Sequence, residues 1–424
     1  MENVRFKIDK LGAIRNSSFT LSPLMIFSGE SGLGKSYAAF LVHYLFILLQ
    51  GDRLKHFFEF KKYNFKEIFA SKFSGKAILS VPVDDFRQWI NKDAITYIGY
   101  LIGNSQLEGK VSIEIPIKDK NFEFIYNEEL RGLNNQEEIY YSISLDNFTY
   151  SVVASKFIED STSFYALLAA VLRDIVFGNY QDLSSAYLLP PSRGSLMEID
   201  ERPSFASGMY DEFWDLKLAI TRPLPKQEEL NSKILSCVQT VNKGNIERVD
   251  GKFMYFTNGV SMPLTAAASS IKELAPLTLF LNKYPVNKVS MLLEEPEAHL
   301  HPIRQSYLAD LIACMVNGGA YLQLTTHSDY FLKRLNSLIK LSELKSKMDA
   351  KSFHDFISKW QIDESYLLNV ENVASFYLKD SGHGYSTIIN QNIVADEEIP
   401  FDSFYSAIKD DMELSREIND LLKS

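Results

Sequence analysis

The stretch GESGLGKS, Gly29 to Ser36, constrains the fold of this chain more than any other. Gly29, Gly34, Lys35 and Ser36 fill the G-x-x-x-x-G-K-[ST] positions of a phosphate-binding loop. The flanks agree. Phe19 to Phe27 (FTLSPLMIF) is a strand-like run with a turn-prone Ser-Pro inside it, and Lys35 to Leu49 is an apolar helix. In a strand–loop–helix of this kind, successive N–H groups of Glu30, Ser31, Gly32, Leu33 and Gly34 turn inward on phosphate oxygens. The glycines permit the bends and the close approach that side chains would block. The N-terminus of the helix adds the positive end of its dipole. Lys35 neutralises the β- and γ-phosphates of ATP, and the Ser36 hydroxyl ligates Mg²⁺. The expected nucleotide-binding set is Gly29, Glu30, Ser31, Gly32, Leu33, Gly34, Lys35, Ser36 and Tyr37, with Ser36 on the metal.

At 424 residues the chain exceeds one ordinary core, so two lobes or a large insertion are expected. With 46% apolar and 23% charged residues the composition is globular. The net charge of -10 argues against a nucleic-acid coat over the whole surface while leaving room for a local basic patch. Cys237 and Cys314 offer neither a disulfide framework nor metal-ligand spacing, which fits a reducing cytoplasm. The opening MENVRFKIDK lacks the apolar region of a signal peptide. The run Ala38 to Leu49, interrupted by His43, is too short to cross a bilayer. A cytoplasmic protein with no membrane contact is expected.

From Gln50 to about Ser185 the signals change. Arg53 to Lys76 carries seven Lys/Arg against two Glu, with aromatics between them. This segment reads either as a nucleic-acid or partner contact or as a solvated helical face whose aromatics pack inward. Val111 to Tyr126 and Glu138 to Val153 alternate with period 2, and the Asp119-Lys120-Asn121 turn suggests antiparallel strands. Ser163 to Phe177 returns to helical spacing.

A second block, KVSMLLEEPEAHLHPIRQ, runs from Lys288 to Gln305. Its strand Val289 to Leu293 ends in Glu294-Glu295-Pro296, where an open α/β sheet binds ligands. Glu294 is the candidate metal-side carboxylate and Glu295 the candidate general base for an attacking water. An exposed acidic turn before a helix would look the same in isolation; pairing with the upstream loop favours the site. A further short strand, Tyr321 to Thr325, leads into Thr326-His327-Ser328-Asp329. His327 is either a polar loop residue or a group that senses the γ-phosphate and stabilises charge during its transfer. Between the blocks, Ser269 and Ser270 begin a helix, as an ordinary N-cap or as an anion-binding pair.

GESGLGKS, LLEEPEAHLHP and TTHSDYF, with ASSIKELAPL and AYLLPPSRG (Ala186 to Gly194), resemble the ABC-type ATPase heads of the RecF/SMC/OLD group. They are most similar to stand-alone AAA-type ATPases of prokaryotic defence systems such as Septu and PARIS. The resemblance covers the first ~50 residues and about 185 to 424. It implies an α/β P-loop fold of ABC-ATPase type: a mixed central sheet with flanking helices, an antiparallel β subdomain and a helical insertion. Residues 1–49 and 185–424 would form the composite ATPase domain and 50–184 the insertion.

The resemblance makes Gly29 to Ser36 the Walker A loop, Glu294 the metal carboxylate and Glu295 the catalytic glutamate. His327 becomes the switch histidine, with Lys35 beside it in catalysis. Ser269 and Ser270 become part of a signature that meets ATP on a second subunit, and His299 to Pro302 the D-loop. A homodimer closing on two ATP molecules and controlling a protein effector, a nuclease or toxin, in anti-phage defence is implied. Glu stands at 294 where the family has Asp, and Ile271 where ABC transporters have a signature glycine. No D-x-D follows His327, so no built-in nuclease is expected. The other readings are a DNA-associated repair or chromosome-maintenance ATPase using Arg53 to Lys76, and a nucleotide-binding scaffold with little turnover.

Overall fold

The computed structural model describes residues 4–63, 76–133, 136–156, 161–222 and 232–393, together with 399, 409, 412–416 and 418. The N-terminal strands are β1 (Arg5–Leu11), β2 (Ile14–Thr20) and β3 (Leu24–Gly29). The middle of the chain adds β4 (Lys76–Pro82), β5 (Gly109–Glu114), β6 (Asn121–Leu133), β7 (Gln136–Leu145), β8 (Phe148–Val153) and β9 (Ser185–Leu189). Then come β10 (Asn245–Val249), β11 (Lys252–Thr257), β12 (Val260–Pro263), β13 (Val289–Glu294), β14 (Tyr321–Thr326), β15 (Val373–Asp380) and β16 (Ser386–Gln391).

Nine of these form a mixed sheet in the order β5-β1-β2-β16-β15-β3-β14-β13-β9. Its centre is parallel: β3 lies between β14 and β15, and β13 between β14 and β9. Strands covered on both faces should be apolar throughout, and every residue of β3 and of β13 is buried. Their side chains alternate between two cores. Met25, Phe27 and Leu292 join the core containing the Lys35–Gln50 helix. Leu24, Ile26, Met291 and Leu293 join the core formed with the Ser269–Leu281 and Pro302–Asn317 helices.

The Lys35–Gln50 helix starts after Gly34, at φ 101°, and ends where the Gly51 N–H returns to the Leu48 carbonyl. It is apolar on nearly all sides because the sheet, the Val83–Leu101 helix and the Thr162–Phe177 helix surround it. No helix of the described residues is long and apolar enough to cross a membrane.

Phe19 to Phe27 is two strands, since the chain turns at Leu21–Pro23. The Asp119 turn does not close a hairpin. β5 pairs antiparallel with β1 at the edge of the main sheet, whereas β6 pairs with β4 and β7 in a separate four-stranded sheet, β4-β6-β7-β8. The ladder stops at Glu114, two residues before Pro116, which lacks the N–H needed to continue it. β7 and β8 do form a tight hairpin, Leu145 opposite Phe148, with Asp146 at φ 50°.

Two aromatics of the basic segment pack inward, whereas Phe60 is exposed. Phe57 and Phe58, on the Leu54–Lys61 helix, are buried, and Phe58 lies 6.1 Å from the Phe124 ring and 6.3 Å from Phe164. Three of its cations are paired: Arg53 forks onto Asp93 at 2.5 and 2.9 Å, Lys61 meets Asp85 at 2.8 Å, and Lys55 meets Glu59 at 3.7 Å. Residues 64–75 of that segment lie outside the described residues. A third, three-stranded sheet, β10-β11-β12, flanks the Ser232–Asn242 helix.

Candidate functional site

The parallel order of the sheet decides which loops meet. β3, β14 and β13 are neighbours, so the loops leaving their C-terminal ends lie side by side. These loops carry Glu30–Gly34, His327 and Glu295, and lie where an open α/β sheet binds ligands.

The glycine loop is held from outside. Gly29 has φ +127°, and a Cβ there would stand 2.5 Å from the Leu378 carbonyl oxygen of β15. At Gly34, φ +101°, a Cβ would stand 2.9 Å from the Ile14 side chain. The Ser386 hydroxyl donates to the Leu33 carbonyl at 2.6 Å. The Tyr37 ring lies under the β1–β2 turn, 3.3 Å from where a Cβ on Gly12 would be.

Lys35 is buried and its ammonium donates to the carbonyls of Gly29 (3.0 Å) and Glu30 (2.9 Å). Burial lowers its pKa, and Glu295, Glu294 and Glu297 oppose that shift. Ser36 donates to Glu294 Oε2 at 2.8 Å, and Thr325 donates to the same oxygen at 2.9 Å. The other oxygen of Glu294, Oε1, is buried with no hydrogen-bond partner among the described residues. Burial pushes the Glu294 carboxyl above its usual range. A hydroxyl and a carboxylate in contact, with a second carboxylate oxygen unsatisfied, are hard oxygen donors of the kind that fits Mg²⁺, which Ser36 and Glu294 would hold.

Glu295 leaves the strand at φ 44°, its N–H on the Thr325 carbonyl at 3.1 Å. This left-handed turn swings its carboxylate out of the sheet to a half-buried position, with Oε1 3.4 Å from His327 Nε2. Lys35 Nζ lies 3.4 Å from His327 Nδ1. An ammonium can only donate, so Nδ1 accepts and Nε2 carries the proton it shares with Glu295. That hydrogen bond is the chief cause holding the Glu295 carboxyl below its usual range. The Ser31 hydroxyl completes the ring of contacts, 3.5 Å from His327 Nε2. Lys35, Ser36, Glu294, Glu295 and His327 therefore form one connected cluster.

Ser269 and Ser270 do not join it. They open the Ser269–Leu281 helix, Ser269 exposed and Ser270 3.5 Å from Arg304, and neither hydrogen-bonds to Gly29–Ser36 among the described residues. His299 takes φ 64°, and His301 caps the Pro302–Asn317 helix through Nδ1, 3.4 Å from the Ile303 N–H.

Two residues were missed by sequence reasoning, although both stand in quoted motifs. Arg193, from AYLLPPSRG, is 2% exposed. Its guanidinium donates to the carbonyls of Glu273 (2.9 Å), Pro190 (3.1 Å) and Glu294 (2.9 Å), tying the end of β13 to the Ser269–Leu281 helix. Glu297, from EEPEAHLHP, is buried and accepts from the Thr326 hydroxyl and the His327 N–H. Cys237 and Cys314 are free and buried, with sulfurs 3.6 Å apart, far along the chain from each other and outside this cluster.

A family model described as an AAA ATPase domain matches residues 210–332. The matched segment includes Ser269, Ser270, Glu294, Glu295 and His327, and the glycine loop precedes it. Among solved structures, similarity is found to three SMC head domains. The head bound to the C-winged helix domain of ScpA is 11% identical over 92% of this chain and 97% of that one, with a TM-score of 0.38. The head from Thermotoga maritima is 10% identical over 93% and 100%, with a TM-score of 0.34. The Pyrococcus furiosus head with an extended coiled coil, bound to the C-terminal domain of ScpA, is 10% identical over 99% of each chain, with a TM-score of 0.35. No curated protein matches the chain.

Proposed function

We propose that this protein binds and hydrolyses ATP with Mg²⁺, as a P-loop ATPase of ABC type related to the RecF/SMC/OLD group. The observation that carries the reading is the 2.8 Å contact between Ser36 and Glu294, 258 positions apart in the chain, inside the cluster that also holds Lys35, Glu295 and His327. The loop amides of Glu30–Gly34 receive the phosphates, and Lys35 exchanges its two carbonyl contacts for phosphate oxygens. When bound at Ser36 and Glu294, Mg²⁺ supplies positive charge to the phosphates. Glu295, ionised and facing outward, takes the proton of the attacking water. His327 lies between Lys35 and Glu295 and donates to the γ-phosphate as charge develops there.

The same reading makes the protein a dimeric, cytoplasmic switch acting on a protein effector, a nuclease or toxin, in anti-phage defence. Residues 1–49 and 185–424 are its composite ATPase domain and 50–184 its insertion. Ser269, exposed and without a hydrogen bond to Gly29–Ser36 among the described residues, would meet ATP held by a second copy. Exposed Ile303 and Tyr330, near the starts of the two helices that leave the site, supply apolar contact area for that closure.

The test compares three proteins. Glu295→Gln should retain ATP, accumulate dimer in sedimentation, and lose turnover by ~10²–10³-fold. Lys35→Ala should lose ATP affinity. Equal turnover in wild type and both variants would refute the assignment.

A further inference from the structure

Glu297 is 6% exposed beneath the turn that carries Glu295, and although the charges of Arg193 and Lys35 act on it, its hydrogen bonds among the described residues come from Thr326 and His327. One carboxylate oxygen, Oε1, accepts from the Thr326 hydroxyl at 2.6 Å and from the His327 N–H at 3.0 Å. The other, Oε2, is buried with no hydrogen-bond partner among the described residues. Burying a carboxylate that is only half satisfied is costly, so packing alone gives no reason for an acid here. What the two bonds accomplish is specific. They fasten the loop after β14 to the turn after β13, whose own closure runs through Ala298 N–H to the Glu295 carbonyl (3.0 Å) and Leu300 N–H to the Glu297 carbonyl (3.0 Å). The two groups fastened together from below, Glu295 and His327, are the ones whose side chains meet above at 3.4 Å.

The geometry points to Glu297 as the positioning residue that fixes His327 against Glu295 and Lys35. This rests on the ATPase reading for its consequence in turnover, but the placement of the ring can be measured without it. The action needs an acceptor oxygen, not a charge. Glu297→Gln keeps Oε1 and both donors, whereas Glu297→Leu has nothing for them to meet. A displacement of the ring by about 1 Å costs on the order of 10²-fold in rate. Such a loss appears in kcat, with KM unchanged, when the missing interaction acts in the transition state.

The experiment measures kcat, KM and ATP affinity of wild type, Glu297→Gln and Glu297→Leu. It also follows the ring ¹⁵N signals of His327, assigned by their loss in His327→Ala. The expected result is kcat within ~3-fold of wild type for Glu297→Gln and lowered ~30–100-fold for Glu297→Leu, with ATP affinity held in both. The ring signals should move only in Glu297→Leu. Wild-type kcat in Glu297→Leu, or an equal loss of kcat and ATP affinity in both variants, would overturn the inference. If the wild type turns over no ATP, the ATPase reading falls. The ring signals then decide the positioning role alone: a shift confined to Glu297→Leu upholds it and unmoved signals reject it.

Discussion

Arg193 is the residue whose loss the molecule should feel most. Its guanidinium is the shared donor for three carbonyls on three segments, and it sits fully buried behind Glu273, Glu294, Glu295 and Glu297. Burial lowers its pKa and those four carboxylates raise it back, so the cation and the acid cluster support each other. Replacing it by Met leaves buried carbonyls and buried acids without their partner. Arg193→Met should therefore destabilise by about 3–5 kcal/mol in urea unfolding, and Arg193→Lys should not restore the wild type because an ammonium lacks the planar fork. Lys35, Ser36, Glu294 and Glu295 were legible in the sequence because their motifs have fixed spacings with a chemical reason behind each position. Arg193 and Glu297 were not. Their motifs AYLLPPSRG and LLEEPEAHLHP carried the resemblance without giving either residue a role, and only the adjacency of β13, β14 and the Ser269–Leu281 helix shows what they hold together.

At the scale of elements, the strand–loop–helix was readable, and so was the helix of Thr162–Phe177. Strand partners were harder, because period-2 alternation says that a strand has two faces and nothing about its neighbour. That is why β5 and β6, separated by a short link, end in different sheets. The β10-β11-β12 sheet carried a signal that went unread: Asp250-Gly251 and Asn258-Gly259 are two-residue hairpin pairs, and all four residues have positive φ. These turns and the nucleotide loop use glycine for different reasons, which a pair of substitutions separates. At Gly259, φ +74°, an added Cβ meets nothing within 4 Å, so Gly259→Ala should cost only backbone strain, ~1 kcal/mol. At Gly29 the same methyl adds a clash with β15, and Gly29→Ala should cost about 3 kcal/mol and abolish ATP binding. Thermal unfolding and nucleotide titration of both proteins check the contrast.

For the molecule as a whole, the buried acids set a dependence on pH. Glu294 and Glu297 both have their carboxyls raised above the ordinary 4.5, with burial as the largest cause. A group with a raised pKa in the folded state contributes stability in full below its unfolded value, and that contribution is lost as pH rises through the folded value. In buffer without divalent cations, the urea midpoint should thus fall as pH is raised from about 4.5 upward, and Glu294→Gln should flatten the fall. Added Mg²⁺ and ATP should restore the midpoint at neutral pH. The central place of β3 has another consequence, in time instead of space. Ser386, whose hydroxyl closes on Leu33, lies 353 positions after it, and the flanking strands β14 and β15 also come late in the chain. At ribosomal speeds the GESGLGKS segment therefore waits roughly 20–70 s for the partners that shape it. Until β14 is made it is an apolar strand with two open edges, and a message cut before Val373 would encode the entire glycine motif yet leave its β15 edge open, with Gly29 and Leu33 lacking Leu378 and Ser386.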